Sequence, residues 1–205
     1  MMSKDAGESR ISLRSALETL RAARRDHEII IPTMGNAREW MQLGASHPLD
    51  FVLVPSAMGH GTSIALGLAL AQPGRRVIAC MGDGSMLMNL GSLASIVAAN
   101  ASNLVVIVFD NGVYEVTGQQ PTPGSPGARA GAAGVDFGAV ATACGFTSVH
   151  RYESADEWRT SARRVLDEPG PVFITLNVAP VAGAVAPTSP GPAAARARAF
   201  RDALG

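Results

Sequence analysis

Two short runs place oxygen ligands beside glycine: Gly82-Asp83-Gly84-Ser85 and Asp110-Asn111-Gly112. Each follows an apolar, β-branched stretch of strand length, 77–81 and 104–109, so each reads as the turn at a strand's carboxyl end. In an open parallel sheet, ligands bind at that edge. Gly82 and Gly84 let the main chain approach a ligand closely, and the helix that follows offers free N–H groups to an anion. These features describe a diphosphate cradle. Asp83 adds a carboxylate oxygen, Asn111 an amide oxygen, and the tight turn after Asn111 can aim a backbone carbonyl at the same point. Hard oxygen ligands beside a diphosphate make a Mg²⁺ site. Taken singly, each run is also an ordinary glycine turn with an Asx residue.

Such turns need a frame to hold them together. Residues 28–31, 51–54, 77–81, 104–109, 146–150 and 172–178 are apolar runs of strand length, and helical segments are expected at 12–25, 36–43, 60–71, 86–100, 136–144 and 154–167. Strands alternating with helices require crossover connections, which predicts an α/β protein: a three-layer α/β/α sandwich with a mostly parallel central sheet. Two segments break the rhythm. The glycine- and proline-rich stretch 112–134 is too long for a plain connection and reads as a functional loop. The end, 181–205, is rich in alanine, proline and arginine, with a short helix expected at 193–204, and is set apart as a tail from a domain at 1–180.

Composition excludes several classes. The chain has 205 residues, 47% of them hydrophobic, enough for one domain with a substantial core. Seventeen basic residues balance seventeen acidic ones, so no net field gathers a phosphodiester backbone, and nucleic acid is not an expected partner. The apolar stretches at 64–71 and 104–109 fall well short of the ~18 residues that a spanning helix needs, so no membrane role is expected. The first ten residues are charged, without the apolar core of a secretory signal. Cys80 and Cys144 lie in apolar segments without metal or disulfide spacing, which points to reduced thiols and a cytoplasmic setting.

Gly82-Asp83-Gly84-Ser85 with Asn111, 28 positions after the aspartate, resembles the cofactor motif of the thiamine-diphosphate-dependent decarboxylase superfamily. The resemblance extends over roughly residues 28 to 180. It implies the thiamine-diphosphate-binding fold, with Mg²⁺ held by Asp83, Asn111 and the main-chain carbonyl of Val113, and the diphosphate contacted by Gly82, Gly84 and Ser85. Upstream, Ser56-Ala57-Met58-Gly59-His60 is similar to the family segment in which an apolar residue, here Met58, wedges between the cofactor rings. The carbonyl of Ser56 would accept from the cofactor's amino group. Thr33-Met34-Gly35-Asn36 matches a further diphosphate contact, carried by Gly35 and Asn36, although Asn36 replaces the family's usual hydroxyl residue. The details around Asp110 to Gln120 are most similar to the branch acting on phosphonopyruvate and sulfopyruvate. That branch implies decarboxylation of a small anionic 2-oxo acid. Family members also need a pyrimidine-binding domain with an activating glutamate. No second α/β unit is evident here, so the resemblance implies a separate subunit supplying that glutamate in trans, in a hetero-oligomer.

Individual residues keep two readings. Met58 is a ring wedge or a core methionine. His60 stands at a helix start, as a proton relay or a cap. Glu115 and Gln119 face substrate or solvent, and Arg129 could pair with a substrate anion. Arg75-Arg76 and Asp26-His27-Glu28 read as turn residues. Other activities stay open: a thiamine-dependent carboligase or acyl-transferring enzyme, a 2-oxoacid oxidoreductase subunit, a non-catalytic cofactor-binding subunit, or an unrelated doubly wound protein. Two isolated cysteines are too few to ligate an iron–sulfur cluster in this chain.

Overall fold

The computed structural model describes residues 10–54, 58–126, 128 and 133–205. The described residues hold eight strands and eight helices, in the order β1 (Ile11–Ser12), α1 (Leu13–Ala23), β2 (Ile29–Pro32), α2 (Met34–Gln42), α3 (Gly61–Ala71), β3 (Val77–Gly82), α4 (Asp83–Leu87), α5 (Gly91–Ala98), β4 (Leu104–Asp110), β5 (Val113–Tyr114), β6 (Gln120–Pro121), α6 (Phe137–Ala143), β7 (Ser148–Tyr152), α7 (Ala155–Leu166), β8 (Val172–Ala179) and α8 (Ala193–Leu204). Six strands form one parallel sheet, ordered β2-β3-β4-β8, and both β7 and β1 pair with β8. The short pair β5 and β6 is a separate antiparallel ribbon.

Each central strand is buried on both sides, because successive residues point into two different cores. Ile30, Ile78, Cys80, Val105 and Ile107 pack with Leu13, Leu17 and Leu20 of α1, Trp40 of α2, and Trp158 and Val165 of α7. Their neighbours Ile29, Ile31, Val77, Ala79, Val106 and Val108 pack with Ala65 of α3, Met86 of α4, Leu93 of α5, Phe137 of α6 and Phe200 of α8. The expected three-layer α/β/α arrangement is therefore present. Trp158 ties two helices on one face by donating its indole N–H to the Ala16 carbonyl at 3.0 Å.

Two local expectations are corrected. The helix expected at 86–100 is two helices, α4 and α5, and the first starts at Asp83. Between them Asn89 turns its amide onto the Gly59 carbonyl at 2.8 Å, a competing bond of the kind that interrupts helices. The strand expected at 51–54 makes only isolated bridges to β2, Ile30 to Asp50 and Thr33 to Leu53. Phe51 and Leu53 donate to the Ile30 and Pro32 carbonyls, but Pro32 has no N–H to return, so the ladder stops. Within 112–134 the chain folds into β5, a 3-10 turn at Glu115–Thr117 and β6.

The segment after β8 returns across the molecule. Phe200 of α8 is buried and meets the Phe51 ring at 4.8 Å between centroids. Arg196 donates to the Val52 carbonyl at 2.6 Å and also to the Val54 carbonyl. The broken edge beside β2 is thereby held from outside by the C-terminal helix.

Candidate functional site

All strands of the main sheet run the same way, so the ends of β2, β3, β4 and β8 share one edge, where a cleft opens. The register places Gly82 opposite Phe109 on adjacent strands. Asp83 and Asp110 therefore leave the sheet side by side, and Asn111 follows one step later. Of the residues expected at the site, Gly35, Asn36, Met58, Gly82, Asp83, Gly84, Ser85, Asn111 and Val113 all line this cleft.

Asp83 is buried, and its Oδ2 accepts from the Thr122 hydroxyl at 3.1 Å. Among the described residues no basic side chain forms an ion pair with it. Burial pushes its carboxyl up to about 6, the Asp110 carboxylate adds to the rise, and the Thr122 hydroxyl and the Gly84 N–H oppose it. The Asp110 carboxyl is also raised by burial, against the pull of Arg10 and Arg151. A desolvated carboxylate beside a second one is a site that gains by taking up a cation.

The Asn111 amide is oriented by partners that admit one assignment. Its Nδ2 donates to Glu115 Oε1 at 2.9 Å, and its Oδ1 accepts from the Val113 N–H at 2.9 Å. A carboxylate only accepts and a backbone N–H only donates, so Oδ1 must face the turn, with one lone pair remaining. Among the described residues no three His, Cys, Asp or Glu side chains gather as a metal cluster. The side chains that line the cleft instead offer a carboxylate, Asp83, and an amide oxygen, Asn111 Oδ1, hard oxygens of the kind suited to Mg²⁺.

The diphosphate side of the cleft also fits its expected guest. Asn36 is buried, and its Nδ2 has no hydrogen-bond partner among the described residues, leaving an unused donor in the cleft wall. Among the described residues nothing lies within 4 Å of where a Cβ at Gly82 would sit, so the space beside it is open. Gly84 is closed instead: a Cβ there would meet the Tyr114 ring at 2.5 Å. Met34, at the start of the same contact segment, has φ 45°, a left-handed conformation rare for a methionine.

Met58 is 39% exposed on the cleft wall and so is not an ordinary core methionine. The turn behind it is pinned to the Gly-Asp-Gly run, since the Gly59 N–H donates to Ser85 Oγ at 2.8 Å. Gly59 has φ 90°, which strongly favours glycine.

The remaining candidates are placed differently. His60 is exposed at the start of α3 and does not line the cleft. Glu115 is buried rather than solvated, and Gln119 donates to the Val181 carbonyl at 2.8 Å. Ser56 and Arg129 lie outside the described residues. Thr122 and the Arg38–Glu115 ion pair at 3.2 Å were not foreseen. Thr122 is 39 positions from Asp83, and no local pattern links the two.

Known proteins resemble this chain in sequence and in fold. Residues 33–176 match the family model "Thiamine pyrophosphate enzyme, C-terminal TPP binding domain". The chain is 37% identical over 176 residues to a phosphonopyruvate decarboxylase of Streptomyces hygroscopicus, covering 86% of this chain and 41% of that protein. It is also 37% identical over 155 residues to the sulfopyruvate decarboxylase subunit beta of Methanothermobacter thermautotrophicus, covering 76% of each. The chain thus spans about two fifths of the first relative and about three quarters of the second. Among solved structures, benzoylformate decarboxylase from Polynucleobacter necessarius shares the fold, with a TM-score of 0.65, 21% identity, and 82% of this chain covered against 33% of that one. From its strand-end cleft to its sequence, this chain belongs to the thiamine pyrophosphate enzymes and carries their C-terminal cofactor-binding domain.

Proposed function

We propose that the chain is the diphosphate- and Mg²⁺-binding component of a two-chain, thiamine-diphosphate-dependent decarboxylase acting on a small anionic 2-oxo acid. The convergence of Asp83 and Asn111 from adjacent strand ends carries this reading. Asp83 would hold Mg²⁺ through its carboxylate, Asn111 through Oδ1, and Val113 through its main-chain carbonyl. Asn36 would donate its amide N–H to the diphosphate, and the main chain at Gly82, Gly84 and Ser85 would contact it. When bound, the cofactor supplies the electron sink for the pair released with CO₂. The protein's own part is to fix that group in one pose, and Met58 supports it from the cleft wall.

A pyrimidine-binding subunit with an activating glutamate completes the site. The subunit-beta relative and its matched length support this partner. Phosphonopyruvate and sulfopyruvate, named for the relatives, each carry a second anionic group, which supports the substrate class. His60, outside the cleft, is proposed to act only in the assembled enzyme. A cytoplasmic location is proposed from the free cysteines, with no membrane-crossing helix among the described residues.

The test is reconstitution. The chain, co-purified with the product of a neighbouring reading frame, is expected to retain thiamine diphosphate in Mg²⁺ and lose it in chelator. The complex should release CO₂ from phosphonopyruvate or sulfopyruvate, and the chain alone should not. Retention that ignores Mg²⁺, or full turnover by the chain alone, would overturn the reading.

A further inference from the structure

Glu115 is the most connected acidic side chain at the cleft, yet the proposed chemistry gives it no task. Its Oε1 accepts from Asn111 Nδ2 at 2.9 Å and from the Val181 N–H at 2.9 Å, while its Oε2 accepts from Arg38 Nη2 at 3.2 Å. Arg38 lies on α2 and also donates to the Val185 carbonyl at 3.1 Å. Three separate parts of the chain meet on one carboxylate: the turn after β4, the helix after β2 and the segment after β8. The fit is close. A Cβ at Gly35 would lie 3.0 Å from Glu115 Oε2, so a glycine there lets the carboxylate sit against α2.

We infer that Glu115 is a positioning residue, which sets the Asn111 amide in the rotamer that presents Oδ1 to the cation. This rests on the reading of Asn111 as a metal ligand. An asparagine at a turn has two nearly equivalent amide orientations, and a cation accepts only the oxygen. With the NH₂ group captured by a carboxylate, the orientation with nitrogen toward the cleft would forfeit a charge-assisted hydrogen bond and is depleted. The ion pair with Arg38 has a second effect. It occupies Oε2 and offsets part of the charge of Glu115, since Arg38 also pairs with Glu39 at 3.0 Å, so that this carboxylate serves the amide rather than competing for the cation. Anchoring to Val181 fixes the carboxylate to the segment leaving β8. Partners of this kind, one bond removed from a metal, typically change metal affinity by about 10- to 100-fold when removed.

The experiment uses Mn²⁺ as the probe, titrated by electron paramagnetic resonance into the full chain with saturating thiamine diphosphate. Glu115→Ala is expected to weaken Mn²⁺ binding about tenfold or more, and Asn111→Ala to weaken it strongly. In the Asn111→Ala background, adding Glu115→Ala should change affinity less than about twofold, because the residue through which it acts is gone. Glu115→Asp keeps the charge beside Arg38, guards against a folding defect, and withdraws the carboxylate by one methylene. It should also lose Mn²⁺ affinity. Equal losses from Glu115→Ala in both backgrounds would mark a merely structural role and overturn the inference, as would parental affinity in Glu115→Asp. If Asn111→Ala itself leaves Mn²⁺ affinity unchanged, the metal-site reading fails instead, which separates the two failures.

Discussion

Asp83 is costly to the metal-free fold, and the cost can be measured. Burial and the neighbouring Asp110 raise its carboxyl from the ordinary 3.8 to about 6. A carboxyl that binds its proton more tightly folded than unfolded contributes stability that is fully present below pH 3.8 and is lost as pH rises through 6. Roughly two pKa units at ~1.4 kcal/mol each amount to about 3 kcal/mol withheld from the metal-free chain at neutral pH. Asp83→Asn removes the ionisation while keeping an oxygen for the Thr122 hydroxyl. Without metal at pH 7.5, urea unfolding should show the variant more stable than the parent by up to about 3 kcal/mol. The advantage should vanish toward pH 4, and Asp110, raised in the same direction, leaves both proteins a residual slope of the same sign. Adding Mg²⁺ and thiamine diphosphate should reverse the order, since only the parent retains its charged ligand and gains stability from binding. A variant less stable than its parent at pH 7.5 without metal would refute the argument. So would equal stabilisation of both by the cofactor.

Three other substitutions probe separate links. Asn36→Ala deletes an amide whose Nδ2 has no partner among the described residues, so the unfolding midpoint should hold or rise while calorimetry finds thiamine diphosphate bound about tenfold or more weakly; parental affinity would remove Asn36 from the diphosphate contacts. Met58→Ala alters an exposed side chain and should change stability by no more than about 0.5 kcal/mol, yet lower kcat of the assembled enzyme at least tenfold; an unchanged kcat would remove the wedge role. Arg196→Ala frees the Val52 and Val54 carbonyls and should cost about 1–3 kcal/mol, with faster amide hydrogen exchange at Leu53 and Val54; unchanged exchange would show that α8 does not hold this edge.

Much of the frame was legible because it rests on short-range rules. The runs 77–81 and 104–109 are strands β3 and β4, lengthened by one residue each to Gly82 and Asp110, and the turns that follow them are where chemistry was expected. The failures are equally local in cause. Periodicity cannot see Asn89 reaching for Gly59, so one long helix was expected where two exist. Nor does it register that the N–H missing from Pro32 stops a ladder which the apolar run 51–54 would otherwise complete.

Types and spacings along the chain were enough to specify the alternating α/β pattern, the pair of glycine-bearing turns and the oxygen donors they hold. Those features depend on neighbours a few residues apart. The tertiary structure alone decided that β8 lies beside β4, that Thr122 meets Asp83, and that Glu115 gathers Asn111, Arg38 and Val181. Such contacts join residues distant in the chain. They arise only when packing on both faces of the sheet sets which strand ends share an edge, and no periodicity encodes that choice.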